Sequence, residues 1–361
     1  MITIIYAYRN RDLKRIQKSL DSLSFQTNKN FNVIFVDFGS DSLIANELES
    51  LTSFYSFVQY YYLDTSHQPW NKSKALNFAI KMTDSDFCFI ADIDMIFHPE
   101  FIKLLVLKSL NNTVTFFKVG FLSKYESLKI LPFEDYKIKF HSNQEATGMS
   151  LLPIKNLKDI HGYDEFFHFW GAEDTDLHNR LCNSGCTINY YDEKTLMLHQ
   201  WHPNYRQRET KTLNRELQIK EIVEINHRHL VNNLERNLSK VNLNSWGEVI
   251  SKNEFNNLII LPVTQIFNEV PVLDHFLFVE VFRLISKEKI NISVLILEHP
   301  NCNSLENRIK KRIGKKVPRY YSLKEINDQL LLHIISFYHH LPYFYHVSTD
   351  LKSISFAIQN K

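Results

Sequence analysis

Short apolar runs and helical patterns alternate from the first residues of this chain, and that alternation limits its fold more than any other feature. "ITIIYAY" is followed by "DLKRIQKSLDSL", "FNVIFVDFGS" by "SLIANELESL", and "FVQYYYLD" by "SKALNFAIKMT" and then "DFCFIADIDMIF". Apolar runs of this length bounded by turn residues read as buried strands, and the segments between them carry helical spacing. The order predicts an α/β fold: a mostly parallel sheet covered by helices. Ligands of such sheets sit at the carboxyl ends of the strands, which directs attention to residues 8–11, 37–40 and 92–94.

Composition narrows the function classes. With 361 residues, 44% of them apolar, the chain can bury a sizeable core. Its 42 Lys and Arg nearly balance 40 Asp and Glu, so no overall field draws nucleic acid, and a charged partner must be met by a local patch. Cys88, Cys182, Cys186 and Cys302 show no paired CxxC or zinc-finger spacing, which argues against a structural zinc site or a disulfide framework. With eight glycines and no GxGxxG or Walker pattern, the dinucleotide and P-loop readings start weak. "MITIIYAYRNRD" reads as a first strand, not a signal peptide, and nowhere do about 18 apolar residues run uninterrupted, as a spanning helix needs. The expected location is cytoplasmic, with the inner face of the membrane as a peripheral alternative.

Three segments are expected: a catalytic domain over 1–205, a helical connector over 206–250, and a smaller α/β appendage over 251–361. The connector rests on a long charged pattern, "RETKTLNRELQIKEIVEINHRHLVNNLERNL". In the appendage "NLIILPVTQIF", "VLDHFLFVEVFRLISKEK" and "INISVLILEHP" read as strand, helix and strand. The basic "RIKKRIGKKVPR" and the aromatic "SFYHHLPYFYHV" that follow have two readings: a solvated basic face with core aromatics, or peripheral contact with an anionic membrane.

Chemistry concentrates at three places. "FIADIDMIF" puts Asp92 and Asp94 at the end of an apolar run, where residues two apart in a strand share a face and could address one divalent cation on a diphosphate. A solvated turn bearing two acids is the plainer reading. "MLHQWHP" offers His199 and His202, each a packed residue or a ligand that would favour Mn²⁺ over Mg²⁺. "WGAEDTDLHNRL" sets Glu173, Asp174 and Asp176 in a first helical turn behind Trp170 and Gly171. N-terminal capping explains one or two such acids. A carboxylate mounted there could also accept a proton from a sugar hydroxyl.

Taken together and in order, these segments resemble the β-1,4-galactosyltransferase group and the related bacterial chondroitin-polymerase-type glycosyltransferases of the GT-A fold. "YRNR" resembles their uridine-binding motif after the first strand, "NKSKALN" a second donor segment, and "DID" their metal motif. "TGMSLLPIKNLKDIHGYDEFFHFWGAEDTDLHNRL" and "MLH" resemble the Trp-Gly-Gly-Glu-Asp-Asp-Asp block and its histidine ending, so the likeness covers about the first 205 residues. It implies that Tyr8, Arg9, Asn10, Arg11 and Asp37 meet the nucleoside, that Lys74, Asn77 and Gly148 serve the diphosphate or sugar, and that Asp92 lies near the ribose and metal. It further implies that Asp94 and His199 hold Mn²⁺ or Mg²⁺, with His202 as a competing ligand, that Trp170 and Glu173 frame the sugars, and that Asp174 is the catalytic base. Thr175 replaces the third acid of the animal enzymes, and Phe38 replaces a second nucleoside-binding Asp.

The resulting expectation is an inverting, metal-dependent transfer of Gal or GalNAc from a UDP-sugar to a hydroxyl of a glycan or lipid-linked glycan, in bacterial surface polysaccharide synthesis. A retaining transferase and a catalytically silent sugar-nucleotide or glycan-binding module are the alternatives.

Overall fold

The computed structural model describes residues 1–203, 212–286, 289–302 and 304–360. Contacts divide the chain into two compact units, one of residues 1–66, 70–207 and 223–248, the other of residues 67–69, 208–222 and 249–361.

The first unit begins with the expected alternation: β1 (Ile2–Tyr8), α1 (Leu13–Ser24), β2 (Phe31–Asp37), α2 (Ser42–Ser53), β3 (Val58–Tyr62), α3 (Lys72–Met82) and β4 (Phe87–Ala91). β5 (Met95–Phe97), α4 (Phe101–Lys108), β6 (Thr113–Phe117), β7 (Gly120–Leu122), β8 (Ile138–His141) and β9 (Ser150–Pro153) come next. They are followed by α5 (Ile154–Asp159), α6 (Glu173–Asn183), β10 (Thr187–Tyr191), β11 (Met197–His199) and α7 (Ile222–Glu235). Local chemistry starts the helices: the side chains of Asp12 and Asn71 accept from the amides of Lys14 and Lys74, capping α1 and α3. α1 then buries Ile16, Leu20 and Leu23, one face of a 3.6-residue period.

Seven strands form the main sheet in the order β10-β6-β9-β4-β1-β2-β3. Its pairs are parallel except those made by β9, which runs antiparallel to β4 and β6. Ile4, Val33, Phe35 and Phe89 are fully buried within it, as the uninterrupted apolar runs require. Register sets Tyr8 beside Asp37 and Tyr6 beside Ala91, so the carboxyl ends of β1, β2 and β4 share one edge.

One expectation is corrected at that edge. β4 stops at Ala91, the amide of Met95 bonds back to the Asp92 carbonyl (3.3 Å), and β5 belongs to a second sheet, β5-β11-β7-β8. Asp92 and Asp94 therefore sit in a turn where the chain changes sheets. Strand alternation does not govern which way they point.

The long helical reading of "RETKTLNRELQIKEIVEINHRHLVNNLERNL" also shortens, its 208–211 portion lying outside the described residues. α7 ends at Glu235 because Asn237 takes a left-handed φ of 50°, and the amides of Asn237 and Leu238 return to the carbonyls of Leu234 and Asn233.

The second unit contains α8 (Lys252–Ile259), β12 (Thr264–Phe267), α9 (Val270–His275), β13 (Asn291–Leu297), α10 (Leu305–Arg312), α11 (Leu323–Phe337), β14 (Tyr343–Val347) and β15 (Ser353–Gln359). The strands form a sheet ordered β12-β13-β15-β14. "NLIILPVTQIF" is not one strand. A Ser251–Glu254 capping box starts α8, which runs through its first three residues, and the chain passes Pro262 before β12 begins. Of the aromatic "SFYHHLPYFYHV", Tyr338, Tyr343 and Tyr345 are buried, which is the core reading of that segment. Among the described residues, no helix is long and apolar enough to cross a membrane.

Candidate active site

The first wall of the site is the loop pair after β1 and β2. Asn10 takes a φ of 48°; its amide donates to Ser40 Oγ (3.0 Å), and its side-chain oxygen accepts from the Asp41 amide (2.9 Å). Tyr8 is buried and its hydroxyl donates to the Arg11 carbonyl (2.7 Å), while Arg9 donates to the Ser66 carbonyl (2.7 Å). Asp37 accepts from the Ser40 amide (2.8 Å) and the Tyr60 hydroxyl (3.0 Å); burial pushes its carboxyl above the usual range while these bonds oppose the shift. Gly39, at a φ of 74°, is required here, since a Cβ would lie 2.3 Å from the Ser66 amide nitrogen.

The second element is a cluster of metal-ligand types. β11 pairs antiparallel with β5, setting His199 opposite Met95, the residue after Asp94. His202 follows three residues on. Asp94 Oδ1 is 3.6 Å from His199 Nε2, and Asp94 Oδ2 is 3.5 Å from His202 Nε2. The three ligand atoms lie within 4.8 Å of one another. His199 and His202, weighed as alternatives, thus converge on the same carboxylate. Asp92 is not in this group; it lies 3.7 Å from Lys72 Nζ.

The third element is the acidic head of α6. It is mounted on a strained approach, with Phe169 (φ 64°), Gly171 (102°) and Ala172 (76°) all in positive-φ conformations, and Ala172 as the N-cap without a side-chain cap bond. The three acids part company there. Asp176 is fully buried and bound to Arg180 Nε (2.6 Å) and Asn233 Nδ2 (2.9 Å), a structural pair. Glu173 and Asp174 instead meet one cation, Lys72 Nζ, at 3.3 Å each. Tyr163 also donates to Asp174 Oδ1 (3.3 Å). Burial opposes charge on Lys72, yet Asp174, Asp92 and Glu173 together hold its ammonium well above the ordinary lysine range. Burial, relieved in part by Lys72 and reinforced by Asp174, pushes Glu173 upward.

Lys72 and Tyr163 were not foreseen. Lys72 lies within the quoted "NKSKALN", two residues from Lys74, and helix geometry turns such residues to opposite sides. Lys74 is the buried one, 3.9 Å from Glu165. Asn77 is likewise enclosed: its amide donates to the Tyr163 carbonyl (2.8 Å) and Glu165 (3.0 Å), and its oxygen accepts from the Tyr163 amide (2.7 Å). Asn77 therefore bears on the site through Tyr163. Gly148 stands beside the acids, its missing Cβ 3.5 Å from Asp174 Oδ2, and Trp170 is exposed. Thr175 contacts the Thr147 hydroxyl (2.9 Å). α7 braces this whole wall: Asn226 donates to the carbonyls of His168 (2.9 Å) and Trp170 (3.2 Å), and His229 meets Asp164 (2.8 Å).

The loop pair after β1 and β2, the Asp-His-His cluster and the cation-held acid pair make up the candidate site, and comparison with known proteins gives the class. The family model for glycosyl transferase family 2 matches residues 3–147, and that described as the N-terminal domain of galactosyltransferase matches residues 130–203. The chain carries a glycosyltransferase domain of the GT-A fold. β-1,4-Galactosyltransferase 5 of Sus scrofa is 26% identical over 137 residues, 37% of this chain and 31% of that protein, so the chain matches about a third of the relative's length. The S. aureus TarS crystal structure is similar at a TM-score of 0.46 and 16% identity, over 80% of this chain and 46% of that one.

Proposed function

We propose that this chain transfers a hexose, Gal or GalNAc, from a UDP-sugar to a sugar hydroxyl with inversion, in bacterial surface polysaccharide synthesis. The observation that carries the reading is Asp174, held by Lys72 and Tyr163 and joined through Asp92 to the turn that bears Asp94. Arg9, Arg11 and Asp37 serve the nucleoside from the loops after β1 and β2. An incoming hydroxyl of a glycan or lipid-linked glycan gives its proton to Asp174 as its oxygen attacks the anomeric carbon from the side opposite UDP. Neighbouring cation and hydroxyl hold that carboxylate in place while leaving lone pairs for the proton. A single displacement inverts the anomeric centre.

One carboxylate and two imidazoles form a mixed O/N donor set that suits Mn²⁺ better than Mg²⁺. Asp94, His199 and His202 would hold that ion, which supplies charge to stabilise the departing diphosphate.

The test is UDP release from a panel of UDP-sugars, with the product anomer read by NMR. Inverted product from UDP-Gal or UDP-GalNAc is expected; a retained anomer, or UDP binding without turnover on any acceptor, overturns the reading. In parallel, Asp94→Asn should weaken Mn²⁺-dependent UDP binding in calorimetry, since it removes the anionic ligand. Equal UDP affinity in the variant would remove this cluster from donor binding.

A further inference from the structure

We propose that α10 and the basic segment after it form an in-plane anchor for an anionic lipid surface, a property of the second unit independent of the sugar-transfer reading. α10 is an unusual helix because it buries none of its side chains. It is nonetheless built with care at both ends. The Ser304 hydroxyl caps it by accepting from the Asn307 amide (3.2 Å). At the other end Gly314, at a φ of 72°, lets the amides of Gly314 and Lys315 return to the carbonyls of Lys311 and Lys310. Such a short helix is marginal in water without an apolar surface to pack on.

The face that lacks cover is well defined. Leu305, Ile309 and Ile313 recur every four residues and are 74%, 58% and 61% exposed. At 100° per residue, Arg308 and Arg312 flank that stripe on one side, while Glu306, ion-paired with Lys310, borders it on the other. Over 305–319 seven cations (Arg308, Lys310, Lys311, Arg312, Lys315, Lys316, Arg319) face one acid, Glu306, a net charge of +6 within a chain whose total is +2.

An apolar stripe edged by long cations fits the boundary of an anionic bilayer, where the stripe enters the acyl region and the Lys and Arg stems reach back to the headgroups. The other occupants fit less well. Nucleic acid would neutralise the cations and leave the stripe in water. A second copy packed stripe to stripe would bring two strongly positive faces together.

The experiment uses the full chain with phosphatidylcholine vesicles, with and without phosphatidylglycerol, at low and high salt. Co-sedimentation only with phosphatidylglycerol, reduced by salt, is expected. The triple variant Leu305→Ser, Ile309→Ser, Ile313→Ser should lose binding by roughly tenfold or more. The set Arg308→Gln, Lys310→Gln, Lys311→Gln, Arg312→Gln should lose about a hundredfold or more. Both should keep the wild-type melting temperature, because no buried side chain is touched. Three outcomes overturn the proposal: no binding to phosphatidylglycerol vesicles, full binding by the serine variant, or tight binding of a labelled DNA duplex that the serine variant retains. Concentration-dependent dimers that the serine variant abolishes, without vesicle binding, would assign the stripe to self-association instead.

Discussion

Asp174 and Lys72 lie 3.3 Å apart, and substitution separates what each contributes. If Asp174 is the base, Asp174→Asn preserves shape and folding but lowers turnover by roughly 10²- to 10⁴-fold, with UDP affinity near wild type. Initial rates and calorimetry read the two quantities separately, and wild-type turnover in the variant would remove the base from the mechanism. Lys72→Met has another signature. It leaves Asp92, Glu173 and Asp174 without their shared cation, so their mutual repulsion should destabilise the first unit by about 1–3 kcal/mol, discounted for partial exposure. The sign with pH follows from the ionisation. A lysine whose folded value is raised stabilises below its unfolded value and loses that effect only at strongly alkaline pH, whereas the acids need a counter-charge only once ionised. The variant's deficit should therefore be large near pH 8 and shrink as pH falls toward the carboxylate range; a deficit independent of pH would show that Lys72 acts by packing alone.

Among the elements, the start of α6 decides how those acids are presented. Its N-cap, Ala172, sits at a φ of 76°, where an L side chain is strained by roughly 1–2 kcal/mol and glycine is not. Ala172→Gly should raise the stability of the first unit by about 1 kcal/mol in denaturant titration, and unchanged or lower stability would mean that the loop does not store strain there. Behind the same helix, Gly162 abuts Asn77: a Cβ would fall 2.1 Å from Asn77 Oδ1, the atom that holds the Tyr163 amide. Gly162→Ala should consequently lower both stability and turnover, because it disturbs Tyr163 and through it Asp174. The sheet switch at residues 92–94 works at this scale too. It sets Asp92 against Lys72 of α3 and Asp94 against His199 of β11, so one tight turn serves two parts of the site.

Over the whole molecule, acid should destabilise the first unit through its buried titratable groups. His178, buried in the first unit with its Nε2 against Ser150 Oγ (2.8 Å), is pushed down to about 4 by its burial. Its folded value lies below its unfolded one, so the unfolded chain binds the extra proton. Stability from this group is thus full above about pH 6.5 and is lost as pH falls toward 4, up to roughly 3 kcal/mol. Burial would raise Asp164, but His229 and Arg180 bring it down to about 2, so its contribution disappears only below about pH 4. Calorimetric scans between pH 7 and 4 should show a falling transition for the first unit, flattened by His178→Gln; an unflattened slope in that variant would assign the acid sensitivity elsewhere. What the amino-acid order determined on its own was the layering: alternating runs specify which side chains are buried. The runs over 1–91 and the acids at 173 and 174 were legible for that reason, since burial period and residue type are local properties. Only the tertiary structure decided that Lys72 faces the acids while Lys74 turns to Glu165, that His202 joins His199 on Asp94, that Asp176 belongs to Arg180, and that the aromatics near residue 340 fill a core. Each of these depends on ladder register and helix rotation between segments as far as about a hundred residues apart, and period and composition carry no information about either.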